Sequence, residues 1–232
     1  MSDEGRANNL VTMRPAPNLL ARGPWAPEDV SFAWSDEPYV PAPEASADAD
    51  LAIAALAARD SPSHDGFSAR MSSHRVDADG RLHLELQPVR WALRLLPGGA
   101  ARSMTGQCVV RSHDGRWLAG RRADWVATWA GRWTLGAAGA VDPRESPMHT
   151  LRRELQEEWS VTPERLRGDA LILLPNDMVM FAGVAWLAPG AEVERDAEHD
   201  EHEWWPADVD AWPDHAEPTL RALARLVESS ER

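Results

Sequence analysis

The segment between Gly139 and Val161 constrains the fold of this 232-residue chain more than any other part of it. It reads GAVDPRESPMHTLRRELQEEWSV. If residues 146 to 159 form a helix, three carboxylates fall within an arc of roughly 100°: those of Glu154, Glu157 and Glu158. The adjoining stripe is apolar and consists of Met148, Leu151, Leu155 and Trp159. The pattern predicts an amphipathic helix that buries one side and carries its acids beside the buried side.

The clustered carboxylates need an explanation, because like charges three or four residues apart destabilise an isolated helix by about 0.2–0.5 kcal/mol per pair. Two explanations fit the spacing alone. One is a solvated helix face on which Arg144, Arg152 and Arg153 neutralise the acids. The other is a site for a hard divalent cation such as Mg²⁺, which takes oxygen ligands from a few carboxylates and from substrate phosphates.

The order of residue types resembles the Nudix box. That motif is Gly, five residues, Glu, seven residues, Arg-Glu, an aliphatic residue, any residue, Glu-Glu, any residue, Gly and an aliphatic residue. The matching positions are Gly139, Glu145, Arg153, Glu154, Leu155, Glu157, Glu158 and Val161. The final glycine is replaced by Ser160. Because the residue past a helix end is commonly left-handed, this serine is expected to cost about 1 kcal/mol in helix termination without removing a carboxylate.

The resemblance implies a role for each conserved type in the box. Mg²⁺ or Mn²⁺ would be held by Glu154, Glu157, Glu158 and the backbone carbonyl of Gly139. Glu154 would be either a ligand or the base that activates water. Glu145 and Arg153 would form a structural ion pair that ties the loop to the helix.

Segments outside the box are similar to other parts of the family pattern. The stretch from Glu198 to Pro206 resembles an acidic segment that supplies one more acid, for which Glu201 is the first choice and Glu198 the second. The expected catalytic acids are therefore Glu154, Glu157 and Glu201. The expected substrate-binding residues are Arg121 or Arg122 for phosphate, and Trp125 and Trp129, in a loop, for stacking on a base. The two tryptophans have the alternative of lying in the core.

The predicted fold is α/β (α+β), a Nudix-type α/β/α sandwich with a mixed sheet. Residues 104–232 would form the Nudix hydrolase domain, with strands at 107–111, 117–119, 171–174 and 178–187 and a helix at 218–228. Residues 47–103 would be an N-terminal extension with a helix at 48–60 and a β-hairpin of strands 67–76 and 81–86. Residues 1–46, rich in Pro, Ala and acids, would be mostly irregular.

Composition limits the partners. The formal net charge is −13 and all 24 basic residues are arginine, so binding of long RNA or DNA through clustered cations is not expected. The single cysteine excludes an intrachain disulfide and a Cys-rich zinc ribbon. No apolar run approaches the roughly 18–20 residues of a membrane span, so we expect a cytoplasmic protein, with a homodimer as one possible assembly.

The function that the resemblance implies is metal-dependent hydrolysis of a diphosphate linkage in a nucleoside diphosphate joined to another moiety, as in a nucleotide sugar or ADP-ribose. A nucleoside triphosphate pyrophosphohydrolase is the alternative enzyme. A non-catalytic nucleotide-binding sensor with the same fold is the alternative of another class, and it predicts stabilisation by ligand without turnover. Isomerisation of an isoprenoid diphosphate would need a suitable catalytic cysteine, whereas Cys108 falls in a predicted core strand.

Overall fold

A computed structural model describes residues 18–59, 61 and 65–230. Eleven strands and three α-helices follow one another along this part of the chain. The strands are β1 Asn18–Trp25, β2 Val30–Trp34, β3 Phe67–Val76, β4 Leu82–Arg90, β5 Met104–Arg111, β6 Trp117–Arg122, β7 Trp133–Leu135, β8 Ala137–Ala140, β9 Arg165–Leu173, β10 Val179–Trp186 and β11 His199–Trp205. The helices are α1 Pro43–Ala57, α2 Pro147–Trp159 and α3 Pro218–Glu228.

A mixed eight-stranded sheet forms the centre of the molecule. Its order is β1-β9-β10-β5-β6-β11, with β7 paired to β6 and β8 paired to β5. β10 and β5 are parallel, and the other pairs are antiparallel. A second sheet has the order β2-β4-β3 and contains the predicted β3–β4 hairpin, turned at Asp77–Gly80.

The central sheet has a helix on each face. Because adjacent side chains of a strand point to opposite faces, one strand can pack on both helices. Cys108 and Val110 of β5 share a hydrophobic cluster with Leu151 and Leu155 of α2. Val109, between them, belongs to the cluster on the other face, which contains Leu220, Ala224 and Val227 of α3. The predicted α/β/α sandwich with a mixed sheet is confirmed.

The N-terminal region is more ordered than its composition indicates. Residues 18–34 were expected to be irregular, and this expectation was wrong: β1 is an edge strand of the central sheet, and β2 joins the second sheet. Residues 1–17 lie outside the described part of the chain. The helix predicted at 48–60 begins earlier, at Pro43, which occupies its first turn.

The extension and the predicted Nudix segment share one hydrophobic cluster. Met71, Leu84 and Leu86 of the second sheet are buried with Leu151 and Trp159 of α2. Of the described helices, none is both long enough and apolar enough to cross a membrane.

Candidate active site

The sequence around α2 specifies both ends of the helix. The Ser146 hydroxyl accepts a hydrogen bond from the backbone N–H of Met148 (3.3 Å), and Pro147 occupies the first turn, where its missing N–H costs nothing. At the other end Ser160 adopts φ 53° and ψ 30°, the left-handed conformation that glycine favours. The helix therefore ends where the family glycine would end it. All four predicted apolar residues, Met148, Leu151, Leu155 and Trp159, are buried.

Glu145 and Arg153 form a bidentate ion pair. The guanidinium donates from Nε to Glu145 Oε1 (2.9 Å) and from Nη2 to Oε2 (3.0 Å). The Thr150 hydroxyl and the backbone N–H of Asp142 also donate to this carboxylate. Burial alone would raise the pKa of Glu145, but the hydrogen bonds from Arg153 and Thr150 outweigh it and lower the pKa to about 2. The loop before the helix is thus tied to the helix by a permanently charged pair.

The same guanidinium orders the acids of the helix. Arg153 Nη1 donates to Glu154 Oε1 (2.7 Å) and to Glu157 Oε2 (3.0 Å), and Nη2 donates to the carbonyl of Ala140 (3.0 Å). Glu154 is buried, whereas 56% of the Glu157 side chain is exposed. Arg153 therefore joins the strand β8 to one buried and one exposed carboxylate.

Gly139 allows the Glu154 carboxylate to lie against the backbone of β8. A Cβ at this position would lie 1.8 Å from Glu154 Oε1, well inside van der Waals contact. The carbonyl of Gly139 accepts a hydrogen bond from the Thr105 hydroxyl of β5 (2.8 Å). A side chain at this position would displace the Glu154 carboxylate from its place against the strand.

Glu158 of α2 lies deeper and meets residues of three strands. Its Oε1 accepts from the backbone N–H of Ala138 in β8 (3.2 Å) and lies 4.0 Å from Arg122 Nη1 of β6. Its Oε2 lies 3.8 Å from Nε2 of His199, a fully buried side chain of β11 whose ring packs against Trp159. Arg122 Nη1 also pairs with Glu198 (3.0 Å). Glu154, Glu158 and Glu198 therefore surround one side of the site with negative charge.

This crowding favours neutral carboxyl groups when no cation is bound. Burial raises the pKa of Glu154 to about 7, although Arg153 opposes the shift, and the charges of Glu157 and Glu198 add to it. Burial likewise raises the pKa of Glu158 well above its ordinary value, against the effect of Arg122. Two buried acids with raised pKa values indicate a functional site rather than a solvated helix face.

Two of the expected residues are not brought to this cluster. Leu118 and Gly120 of β6 face α2, so Arg122 also faces α2 and Arg121 faces away. Arg121 instead contacts Asp200 (3.1 Å). Glu201 pairs with Arg121 across the β6–β11 ladder, after a register shift between His199 and Glu201, and so lies on the far face too. The acid that the structure places beside Glu158 and Arg122 is the second choice, Glu198.

Trp125 and Trp129 lie in the β6–β7 loop, as predicted, with 40% and 42% of their surface exposed. The loop begins immediately after Arg122, and the guanidinium of Arg132 lies over the Trp129 ring (4.0 Å to its centroid). The N-terminal region holds this loop in place: Ser61 Oγ donates to the carbonyl of Trp125 (2.8 Å), and Arg59 Nη2 donates to that of Ala127 (3.2 Å).

Sequence reasoning did not identify Thr105 and His199 as parts of the site. Thr105 carries no signal in the sequence, since its role depends on the pairing of β5 with β8. His199 is a fully buried residue of β11 that packs against Trp159. The five residues from His199 to Glu203 are all polar or charged, so the sequence gives no sign that the His199 side chain is buried.

The donor set fits a hard divalent cation. It consists of oxygen atoms from Glu154, Glu157, Glu158 and Gly139, and oxygen ligands are those that Mg²⁺ and Mn²⁺ prefer. In the described residues no three acidic, histidine or cysteine side chains are already arranged around a point that could hold a metal ion. Arg153 donates to one oxygen each of Glu154 and Glu157.

Comparison with known proteins agrees with this geometry. A family model described as the NUDIX domain matches residues 104–223, which is more than half of the chain. The chain belongs to the Nudix family. Over 66 residues the chain is 35% identical to an isopentenyl-diphosphate Delta-isomerase of Corynebacterium diphtheriae, a match that covers 28% of this chain and 36% of that protein. The chain thus spans about a third of the length of this curated relative.

Solved structures also resemble this Nudix protein at low sequence identity. The MutT protein of Methanosarcina mazei Go1 is 24% identical, with a TM-score of 0.43, over 56% of this chain and 95% of that one. A C. elegans Ap4A hydrolase is 20% identical, with a TM-score of 0.43, over 55% of this chain and 96% of that one.

Proposed function

We propose that this Nudix protein hydrolyses a diphosphate linkage in a nucleoside diphosphate joined to another moiety, with Mg²⁺ or Mn²⁺ as cofactor. One observation carries the proposal. All the acids of the box are present, and two of them, Glu154 and Glu158, are buried against β8, where their charge is costly unless a cation accompanies it. A purely structural helix gains nothing from this arrangement.

Glu154, Glu157 and Glu158 would hold the metal, together with the Gly139 carbonyl. The bound cation would supply charge neutralisation on the diphosphate oxygens and on the leaving phosphate. Glu154 would be either one of these ligands or the base that takes a proton from the attacking water. Glu198 is our candidate for the additional acid, since it lies beside Arg122 and acts electrostatically on both Glu154 and Glu158.

Arg122 and the two loop tryptophans would bind the substrate. Arg122 needs only to turn from Glu198 to meet a phosphate, whereas Arg121 lies on the other face. Trp125 and Trp129 are partly exposed in the loop that follows Arg122, and stacking on an aromatic side chain is worth about 1–3 kcal/mol per base. A nucleotide with its diphosphate over α2 and its base on this loop accounts for both features.

Isomerisation, the activity named for the curated relative, is not supported by the cysteine. Cys108 is fully buried in β5 between the sheet and α2, and burial raises the pKa of its thiol. A buried, protonated thiol is inert as a nucleophile or proton donor at an open site.

The test is release of phosphate-bearing products from ADP-ribose, nucleoside diphosphate sugars, dinucleotides, nucleoside triphosphates and isopentenyl diphosphate, with Mg²⁺ or Mn²⁺. We expect cleavage of a nucleoside diphosphate derivative that depends on metal and falls by at least about 100-fold in Glu157→Gln. Glu192→Gln, which changes an exposed acid outside the site, is the matched control and should retain full activity.

Each alternative has its own outcome in this assay. Preferred cleavage of triphosphates would assign the pyrophosphohydrolase reaction instead. If no compound is turned over while one of them raises the melting temperature, the protein is a nucleotide-binding module and the proposed hydrolysis is wrong.

A further inference from the structure

Arg94 is an arginine of the N-terminal region that lies between the extension and the Nudix site. It belongs to a short 3-10 helix, Trp91–Leu95, that follows β4. Its neighbours Ala92 and Leu93 are buried, so the helix is anchored and the Arg94 side chain is held on its other side. The side chain itself is only partly exposed.

The guanidinium of Arg94 lacks a strong acceptor. Within the described ranges no carboxylate pairs with it, and its Nη2 donates only to Sδ of Met178 at 3.6 Å. A thioether is a weak acceptor, whereas a guanidinium has five N–H donors. Burial lowers the pKa of Arg94 to about 10, which measures how poorly its charge is solvated. The other two arginines on this face of the site, Arg122 and Arg153, both have carboxylate partners.

The position of Arg94 places it beside the acidic cluster. Its contact Met178 directly precedes β10, whose first residue, Val179, lies opposite Met104 of β5. The next residue of β5, Thr105, donates to the Gly139 carbonyl, against which Glu154 packs. In agreement with this path, the charge of Glu154 acts on Arg94. The Arg94 guanidinium, which lies over the Trp91 ring (5.7 Å to its centroid) and has no carboxylate partner in the described part of the chain, therefore borders the site.

We propose that Arg94 binds a phosphate oxygen of the diphosphate substrate, so that the N-terminal extension supplies a substrate-binding residue to the Nudix site. This inference rests on the proposed diphosphate substrate. A phosphate has the acceptors that Arg94 lacks and binds a guanidinium in a bidentate manner. Arg94 also lies outside the Nudix box, so it would be a substrate contact that the motif itself does not provide.

The experiment measures binding of methylenediphosphonate, a diphosphate analogue that is not hydrolysed and carries no base, by titration calorimetry with Mn²⁺ present. Arg94→Met keeps an unbranched apolar side chain in the partly buried position, and Arg94→Lys keeps the charge without the paired donors. We expect the dissociation constant to rise about 10- to 100-fold in Arg94→Met and by a smaller factor in Arg94→Lys. Arg75→Met is the matched control, because Arg75 is an exposed arginine of the same extension, and it should bind as the wild type does.

A second titration, with Mn²⁺ alone, tells whether Arg94 contacts the substrate or instead holds the metal-binding carboxylates in place. If Arg94 contacts the diphosphate, the affinity for Mn²⁺ is unchanged in the variants. An equal loss of Mn²⁺ affinity, unchanged analogue binding in both variants, or no analogue binding by the wild type would overturn the proposal. Hydrolysis of the substrate panel by the wild type shows whether the role of Arg94 or the proposed hydrolysis has failed. Turnover with unaffected Arg94 variants refutes only the role of Arg94, and Arg94-dependent binding without turnover refutes only the hydrolase.

Discussion

Replacing Glu154 by Gln is expected to stabilise the metal-free protein at alkaline pH, although it removes an acid of the site. The folded-state pKa of Glu154 is about 7, against an ordinary value of 4.5. Between these pH values the folded protein holds a proton that the unfolded chain has lost, so the free energy of unfolding falls as the pH rises. The stability associated with Glu154 is complete below about pH 4.5 and lost above about pH 7. Gln is neutral throughout and avoids this loss.

The size of the effect follows from the same two values. A difference of 2.5 pKa units, 7 minus 4.5, corresponds to about 3 kcal/mol of unfolding free energy at pH 8. In a chain of 232 residues each kcal/mol shifts the melting temperature by about 2–4 °C, so Glu154→Gln should melt roughly 6–12 °C above the wild type at pH 8. At pH 4.5 the two proteins should melt within about 2 °C of each other.

The assay is thermal unfolding in EDTA from pH 4.5 to 8.5, followed by circular dichroism. Glu157→Gln makes the same chemical change three residues along the same helix, at a side chain that is 56% exposed, and should show little pH-dependent difference. The reasoning is refuted if Glu154→Gln is no more stable than the wild type at pH 8, or if its advantage is the same at pH 4.5.

Three further substitutions test other contacts of the site. Gly139→Ala should displace the Glu154 carboxylate and reduce metal-dependent turnover about 100-fold. The control Gly106→Ala, at the position opposite on β5, meets only side-chain carbons at 3.0 Å or more and should lower kcat far less. Equal losses of kcat in a kinetic assay would contradict this prediction. Glu145→Gln should lower the free energy of unfolding by about 3 kcal/mol at pH 7, because the pKa of Glu145 is lowered to about 2 in the folded protein. The loss should shrink as the pH falls from 4.5 to 2. A loss that does not depend on pH in urea titrations would argue against this prediction. Ser160→Gly should raise the free energy of unfolding by about 1 kcal/mol, because Ser160 is left-handed. Ser229→Gly, at a right-handed helix end with φ −71°, should lower it. The prediction is contradicted if the Ser160→Gly protein does not melt above the Ser229→Gly protein.

Local sequence predicted those parts of the fold whose structure is decided locally. α2 and α3 combine helical periodicity with an initial proline, and both lie within a residue of the predicted bounds. β3 was predicted at its observed bounds, because ten residues between turn signals leave little choice of structure. The ion pair of Glu145 with Arg153 was expected from the box, and its contacts are present in the structure.

Elements decided by distant pairing were missed. β1 contains Gly23-Pro24, which favours a turn, and becomes a strand only because β9 lies beside it. The choice of Glu201 over Glu198 failed to anticipate a register shift, and one extra residue exchanges the faces of a strand. Arg94 has no motif of its own, since its proximity to Glu154 depends on how two sheets meet.

The edge of the central sheet depends on residues that precede the Nudix segment. β1 covers β9, whose residues Leu171 and Ile172 are buried and whose backbone would otherwise face solvent along one side. β1 is itself a poor template for further strands, because it is bulged and carries Arg22 and a proline that has no N–H to donate. A chain shortened to begin at Met104 would expose an apolar open edge of the kind that recruits other chains, and so would be expected to aggregate.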